Sequence, residues 1–262
     1  MAYETIIVER EDAVGKITFN RPDKLNAYNQ TLSKETRRAF DEFVADKSIR
    51  VIVFTGGKAR AFMAGADINM LSTMSSAKDS TGLVDEKMLN IDLFESCPKP
   101  IIAALNGLAF GMGCEIAMAC DFRIAVQSAQ LGQPEIKLGV IAGGGGTQRL
   151  TRLVGLTKSL EMNIIGDPIS AEEAYRIGLV TKVVPDDKLW EEVAVYTKKL
   201  SNLSAVSVGF CKKAVRGGAS LADIKDGIKL EHDCFFEVLM TPDAQEGTKA
   251  FLEKRKPRFN VN

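Results

Sequence analysis

The sequence predicts an α/β fold, an N-terminal spiral of strand-strand-helix turns to about residue 185 followed by a helical C-terminal part. Three observations carry this. Val51-Ile52-Val53-Phe54 and Ile101-Ile102-Ala103-Ala104 are apolar throughout, as strands covered on both faces are. Between residues 30 and 45, Leu32, Phe40, Phe43 and Val44 are spaced by charges, the pattern of a helix laid on a sheet. Beyond Pro185 the patterning is helical to Lys256, with breaks expected at Gly217-Gly218 and Thr241-Pro242-Asp243.

Taken in order, Ile6 and Val8, then Val14, Ile17 and Phe19, read as the two strands of an opening hairpin that ends at Arg21-Pro22. The 21–26 loop, with its cations and Asn26, reads by itself as a solvated turn. After the 51–54 strand, Gly56-Gly57-Lys58 closes the element, and 61–68 is a run of small residues around Gly65. Such a run suits either a packed turn or a backbone that approaches a ligand closely. Residues 70–89 mix methionines and leucines with polar groups, compatible with gap-filling core or an adaptable pocket.

The 101–104 strand runs into the turn signal Asn106-Gly107, and Gly111-Met112-Gly113 opens a helix of small apolar residues from Cys114 to Cys120. Glu115 falls in its first turn, where the helix dipole favours an acid whatever the protein does. A strand is expected at 122–125 and a short apolar stretch to Leu131. Glu135 then stands in Gly132-Gln133-Pro134-Glu135, a loop that Pro134 stiffens. It is either a solvated loop acid or one aimed at a fixed point. Gly143 to Gly146 opens a helix over 147–154, a second runs to about Ile165, and Ser170 with Glu173 forms a capping box for a third, ended by Gly178. A strand at 179–184 and a helix carrying Trp190 follow.

Composition narrows the chemistry. The 262 residues suffice for one large domain. Lysine plus arginine and aspartate plus glutamate both number 34, so no excess positive charge drives binding to nucleic acid or anionic membranes. The start Met1-Ala2-Tyr3-Glu4 is unlike a targeting peptide, and no apolar run reaches the length of a membrane span, so the expected compartment is the cytoplasm. Five scattered cysteines read as free thiols, and a single histidine, His232, excludes a histidine metal cluster. Chemistry must then rest on carboxylates, backbone amides and cysteine.

Phe110-Gly111-Met112-Gly113-Cys114-Glu115-Ile116-Ala117-Met118, Gly132-Gln133-Pro134-Glu135-Ile136 and Gly144-Gly145-Gly146-Thr147-Gln148-Arg149-Leu150 resemble the crotonase (enoyl-CoA hydratase/isomerase) family. So do Arg21-Pro22-Asp23-Lys24-Leu25-Asn26-Ala27, Ala61-Phe62-Met63-Ala64-Gly65-Ala66-Asp67-Ile68 and Ala250-Phe251-Leu252-Glu253-Lys254-Arg255-Lys256, in family order. The resemblance implies a crotonase-like spiral of β-β-α units over residues 1–185, binding acyl-CoA and carrying catalysis. It also implies a helical region, 186–262, that assembles a homotrimer or a dimer of trimers. By matched position, Lys24, Leu25, Ala27, Ala64, Asp67, Ile68 and Lys256 would contact the CoA ester, and residues 70–89 would form the acyl wall. Ala66 and Met112 would donate backbone N–H groups to the thioester oxygen, and the Gly143 amide would help hold water. Three positions depart from the family pattern: Met112, Asn69 and Ala142 stand where glycine, lysine and proline are common.

The activity so implied is reversible hydration of a trans-2-enoyl-CoA to the 3-hydroxyacyl-CoA, with coenzyme A as part of the substrate and neither metal nor redox cofactor. Glu115 would deprotonate water and Glu135 would serve chiefly as the acid. Keeping a glutamate protonated near neutrality takes a shift of about 3 units, or about 4 kcal/mol, which burial beside another carboxylate can supply. A Δ3,Δ2-enoyl-CoA isomerase needs only the second acid; a hydratase of a cyclic or dienoyl substrate is a further alternative. A dinucleotide-binding module is disfavoured because Ile116 stands where the third glycine of its fingerprint belongs.

Overall fold

A computed structural model of the chain describes residues 3–73 and 89–260; most of the expected acyl wall lies outside them. The hairpin forms as expected: β1 (Ile6–Glu11) and β2 (Val14–Phe19) pair antiparallel. The helix Gln30–Ala45 follows, its N-cap Asn29 accepting from the Leu32 amide, and buries Leu32, Phe40 and Phe43. Strand β3 (Val51–Thr55) is buried along its whole length.

From here the chain alternates between two sheets. β3 is succeeded by β4 (Ala61–Ala64), β5 (Ile101–Leu105) by β6 (Leu108–Phe110), and β7 (Phe122–Val126) by β8 (Gln130–Gly132). With β9 (Ile169–Ser170) and β10 (Lys182–Val184), the sheet orders are β1-β2-β3-β5-β7-β10 and β4-β6-β8-β9. Each turn of the spiral thus gives one strand to each layer. Apart from the β1–β2 and β8–β9 pairs, neighbours are parallel.

The crossings between sheets are tight. A Cβ on Gly107 would lie 2.1 Å from the Arg60 carbonyl oxygen, so only glycine fits there. Asn106 fastens two crossings together, accepting from the Gly56 amide at 2.8 Å and donating to the Ala59 carbonyl at 2.8 Å. Between the layers Phe54 and Phe40 both pack on Phe94 with ring centroids 4.8 Å apart, and Phe19 meets Phe62 edge-on at 5.3 Å.

The 61–68 run is a strand in its first half, which its small residues did not signal. The expected break at Gly217-Gly218 is also corrected: both lie inside the helix Ala205–Ala219. They permit a close helix crossing, a Cβ on Gly218 lying 3.7 Å from the Gly227 Cα in the helix Ile224–Leu239. The break expected at Thr241-Pro242 is present, Thr241 capping the helix Pro242–Leu252. The helix Leu189–Ser201 buries Leu189 and Val193 and sets Tyr196 edge-on to Phe122 of β7, so packing on the sheet continues past Pro185. Among the described residues no helix is long and apolar enough to cross a membrane.

Candidate active site

The site is built from the C-terminal ends of β4 and β6. The helix Met112–Ala119 starts directly after β6, with Gly111 at φ +49° making the turn. It lies so close to β4 that a Cβ on Gly113 would sit 2.1 Å from the Met63 carbonyl oxygen. At its far end Arg123 donates to the Ala117 and Cys120 carbonyls, and Arg216 to those of Ala119 and Cys120. Cations there complement the C-terminal end of the helix dipole.

Glu115 projects from that turn and is 2 % exposed. Its Oε1 accepts from the Gly144 amide at 2.7 Å and the Gly146 amide at 2.8 Å. Burial pushes its carboxyl above the ordinary range, while the two amides and the Arg149 charge act in the opposite sense. A Cβ on Gly144 would lie 2.7 Å from Glu115 Oε2, so a side chain there would displace the carboxylate from its place.

Glu135 is carried by a single 3₁₀ turn, Pro134–Leu138, after β8. A Cβ on Gly111 would come within 2.7 Å of its Oε1, so this acid faces the start of the Glu115 helix. Gln133 is 1 % exposed, and with its amide oriented to suit its neighbours it donates to both Glu135 oxygens at 3.1 and 3.2 Å. Burial, assisted by the nearby Glu115 charge, raises Glu135 to about 7.

Two backbone N–H groups complete the arrangement. Strands β4 and β6 pair Ala64 with Phe110. Ala66 and Met112 each lie two residues further on. The Tyr28 bridge to this segment uses the Gly65 carbonyl (2.9 Å) and the Asp67 N–H (2.8 Å), which turns the Ala66 N–H to the other side. The Met112 N–H opens a helix and has no intrahelical acceptor. Neither has a hydrogen-bond partner among the described residues. Paired donors of this kind stabilise an oxygen that gains negative charge.

Other expected contacts group less tightly. Leu25 accepts from the Ala64 amide at 3.0 Å, and the Ala27 amide donates to Lys24, so the 21–27 loop lies along β4. Asn26, fully buried, clamps it to the Ala61 carbonyl at 2.9 Å. Lys24 and Ile68 are exposed at the rim. The Asp67 carboxylate is taken by Arg21 at 3.1 Å, which holds it below the ordinary range. Gly143 faces open space. Lys256 is exposed beyond the last helix, and among the described residues no hydrogen bond or ion pair joins it to the site.

Whole-chain comparisons show the family. The Enoyl-CoA hydratase/isomerase family model matches residues 9–262. The chain belongs to the enoyl-CoA hydratase/isomerase family. It is 40% identical over 260 residues to a crotonyl-CoA hydratase of Syntrophomonas wolfei, covering 99% of each chain. It is 39% identical to a short-chain-enoyl-CoA hydratase of Clostridium acetobutylicum, covering 98% of this chain and 97% of that one. The crystal structure of an enoyl-CoA hydratase from Bacillus anthracis superposes with a TM-score of 0.91 at 35% identity, over 99% of this chain and 100% of that one.

Within this enoyl-CoA hydratase/isomerase fold, three side chains important to the site were not singled out from sequence. They are Gln133 against Glu135, Asn26 beneath the 21–27 loop, and Arg149 behind the glycine loop. All three lie inside the motif segments. Their polarity was visible, but their burial was not.

Proposed function

We propose that this enzyme hydrates trans-2-enoyl-CoA thioesters reversibly to 3-hydroxyacyl-CoA. The observation that carries the reading is the contrast between two neighbouring carboxylates beside two unpaired amides. Glu115 accepts two N–H bonds that favour its charged form, whereas Glu135 titrates near 7 and is protonated in about half of the molecules at neutrality. Burial raises both carboxyls, but only Glu115 is held by backbone N–H groups that favour its anion, which fits it for the base and Glu135 for the acid.

In hydration the thioester oxygen accepts from the Ala66 and Met112 amides, which draws electrons from C3. Glu115, through the oxygen not held by Gly144 and Gly146, takes a proton from a water that the Gly143 amide helps orient, and the water oxygen bonds to C3. Glu135 delivers its proton to C2 as the enolate collapses. Solvent exchange then returns a proton to Glu135 and removes one from Glu115. Neither a metal nor a redox cofactor enters. The 21–27 loop and the 64–68 segment hold the CoA portion, and Lys256 meets its phosphates.

Isomerisation of a 3-enoyl-CoA would use Glu135 alone and leave the built environment of Glu115 without a task. Exposed Ile224, Phe236, Phe251 and Leu252, 77%, 60%, 82% and 76% accessible in the single chain, support burial of the C-terminal helices between subunits of a cytoplasmic trimer or hexamer. The test is turnover of short, long, branched and cyclic trans-2-enoyl-CoAs and of 3-enoyl-CoAs by the purified enzyme. Hydration of at least one 2-enoyl ester is expected. Isomerisation without hydration would overturn the reading.

A further inference from the structure

Arg149 belongs to no step above, yet it is enclosed. Its side chain is 11% exposed, and its guanidinium is divided among three acceptors from two parts of the chain. Nη1 donates to the Gly144 carbonyl at 2.8 Å, Nε to Glu95 at 2.8 Å, and Nη2 to Asp92. The loop is moulded around it: Gly145 has φ +93°, and a Cβ there would lie 2.1 Å from Nη1.

Gly144 is therefore held at its carbonyl and used at its N–H. Its carbonyl is fixed by Arg149, and its N–H, with that of Gly146, grips Glu115. We propose that Arg149, anchored by Glu95 and Asp92, is a positioning residue that holds the glycine loop and thereby aims the Glu115 carboxylate at the attacking water.

The inference rests on the hydratase reading. The charged groups facing the parts of this assembly are Glu135 and Arg149 around Glu115, and Asp92 and Glu95 around Arg149. Arg216, on the helix Ala205–Ala219, also reaches Glu95, at 3.4 Å, and Asp121 at 2.9 Å. It serves as the control, because its loss disturbs the same ion network without touching Gly144.

The experiment measures kcat, KM and the pH profile of kcat with a short trans-2-enoyl-CoA. Arg149→Gln should lower kcat by about 10- to 100-fold, the scale of a small misplacement of a catalytic group, with KM within about threefold of wild type. Its acidic limb should move up by about half a pH unit or more, since removing a cation makes Glu115 harder to ionise. Arg149→Lys should keep the limb near its wild-type position but recover only part of kcat, because an ammonium cannot reproduce the three-way fork. Arg216→Gln should lower the melting temperature and leave the profile in place.

Wild-type kcat in Arg149→Lys, or an equal limb shift in Arg216→Gln, would overturn the proposal. If Arg149→Gln fails to fold, the lysine variant decides the matter by itself. A wild-type enzyme with no hydratase activity would instead remove the underlying reading, so the two failures are distinguishable.

Discussion

Ala64 pairs with Phe110 across two parallel strands, and the chain leaves these strand ends into Ala66 and Met112, whose amides have no hydrogen-bond partner among the described residues. Proline at 66 deletes one donor and glycine at 112 deletes none. Ala66→Pro should cost about 2.7 to 4 kcal/mol in the transition state, about 10² to 10³ in rate, with CoA-ester affinity retained as the sign of an intact loop. Full activity in a correctly folded variant would mean that the thioester oxygen uses another donor.

Met112→Gly keeps the N–H and removes a side chain whose Cε lies 3.2 Å from the position of a Cβ on Gly144. Turnover of a short enoyl-CoA should survive, and the acyl-length preference should shift toward bulkier groups. A chain-length series of kcat/KM checks this.

Glu115→Gln and Glu135→Gln should each slow hydration by about 10² to 10⁴ while leaving CoA-ester binding largely intact. Near-normal turnover in either variant would dissolve the acid-base pairing. The wild-type rate of hydration should fall as pH rises through about 7, where Glu135 loses its proton, and fall again on the acid side as Glu115 gains one.

The same pKa carries a stability signature. Glu135 binds its proton more tightly folded, to about 7, than unfolded, so stability is fully present below the unfolded value and is lost as pH rises through the folded one. Glutamine has no such loss. Melting curves of wild type and Glu135→Gln should diverge in favour of the variant between pH 5 and 8 (about the span of the two pKa values); parallel curves would contradict the raised pKa.

At Gly113 two effects oppose one another. Alanine gains about 1 kcal/mol of helix propensity over glycine. Its Cβ, however, would sit 2.1 Å from the Met63 carbonyl oxygen, and overpacking of this kind costs about 1 to 3 kcal/mol or more. The clash should win, so Gly113→Ala should lower the melting temperature and, by moving the helix that bears Glu115, also lower kcat.

Periodicity and capping chemistry were enough to read the helix Gln30–Ala45 to its observed ends, the all-buried strands β3 and β5, and the Ser170 cap that accepts from the Glu173 amide. These features are local: each depends on side chains and φ preferences within a few residues. The motif segments likewise pointed to Glu115 and Glu135 before any geometry was known. The second sheet was harder to read, because β4, β6 and β8 are only four, three and three residues long and take their partners from distant turns of the spiral.

What the tertiary structure decided was the environment of each polar group. Glu115 receives amides from 29 and 31 residues away, and Arg149 finds Glu95 54 residues away, distances at which no local pattern reports burial or partnership. Gly217 and Gly218 read as a break because local preference treats glycine as a helix stop; packing against the helix Ile224–Leu239 kept them helical. The sequence by itself determined which residue types and turns were on hand. Only folding, by removing water and setting the parallel register, raised both glutamates, gave Glu115 its two amide donors and left the Ala66 and Met112 amides without partners among the described residues.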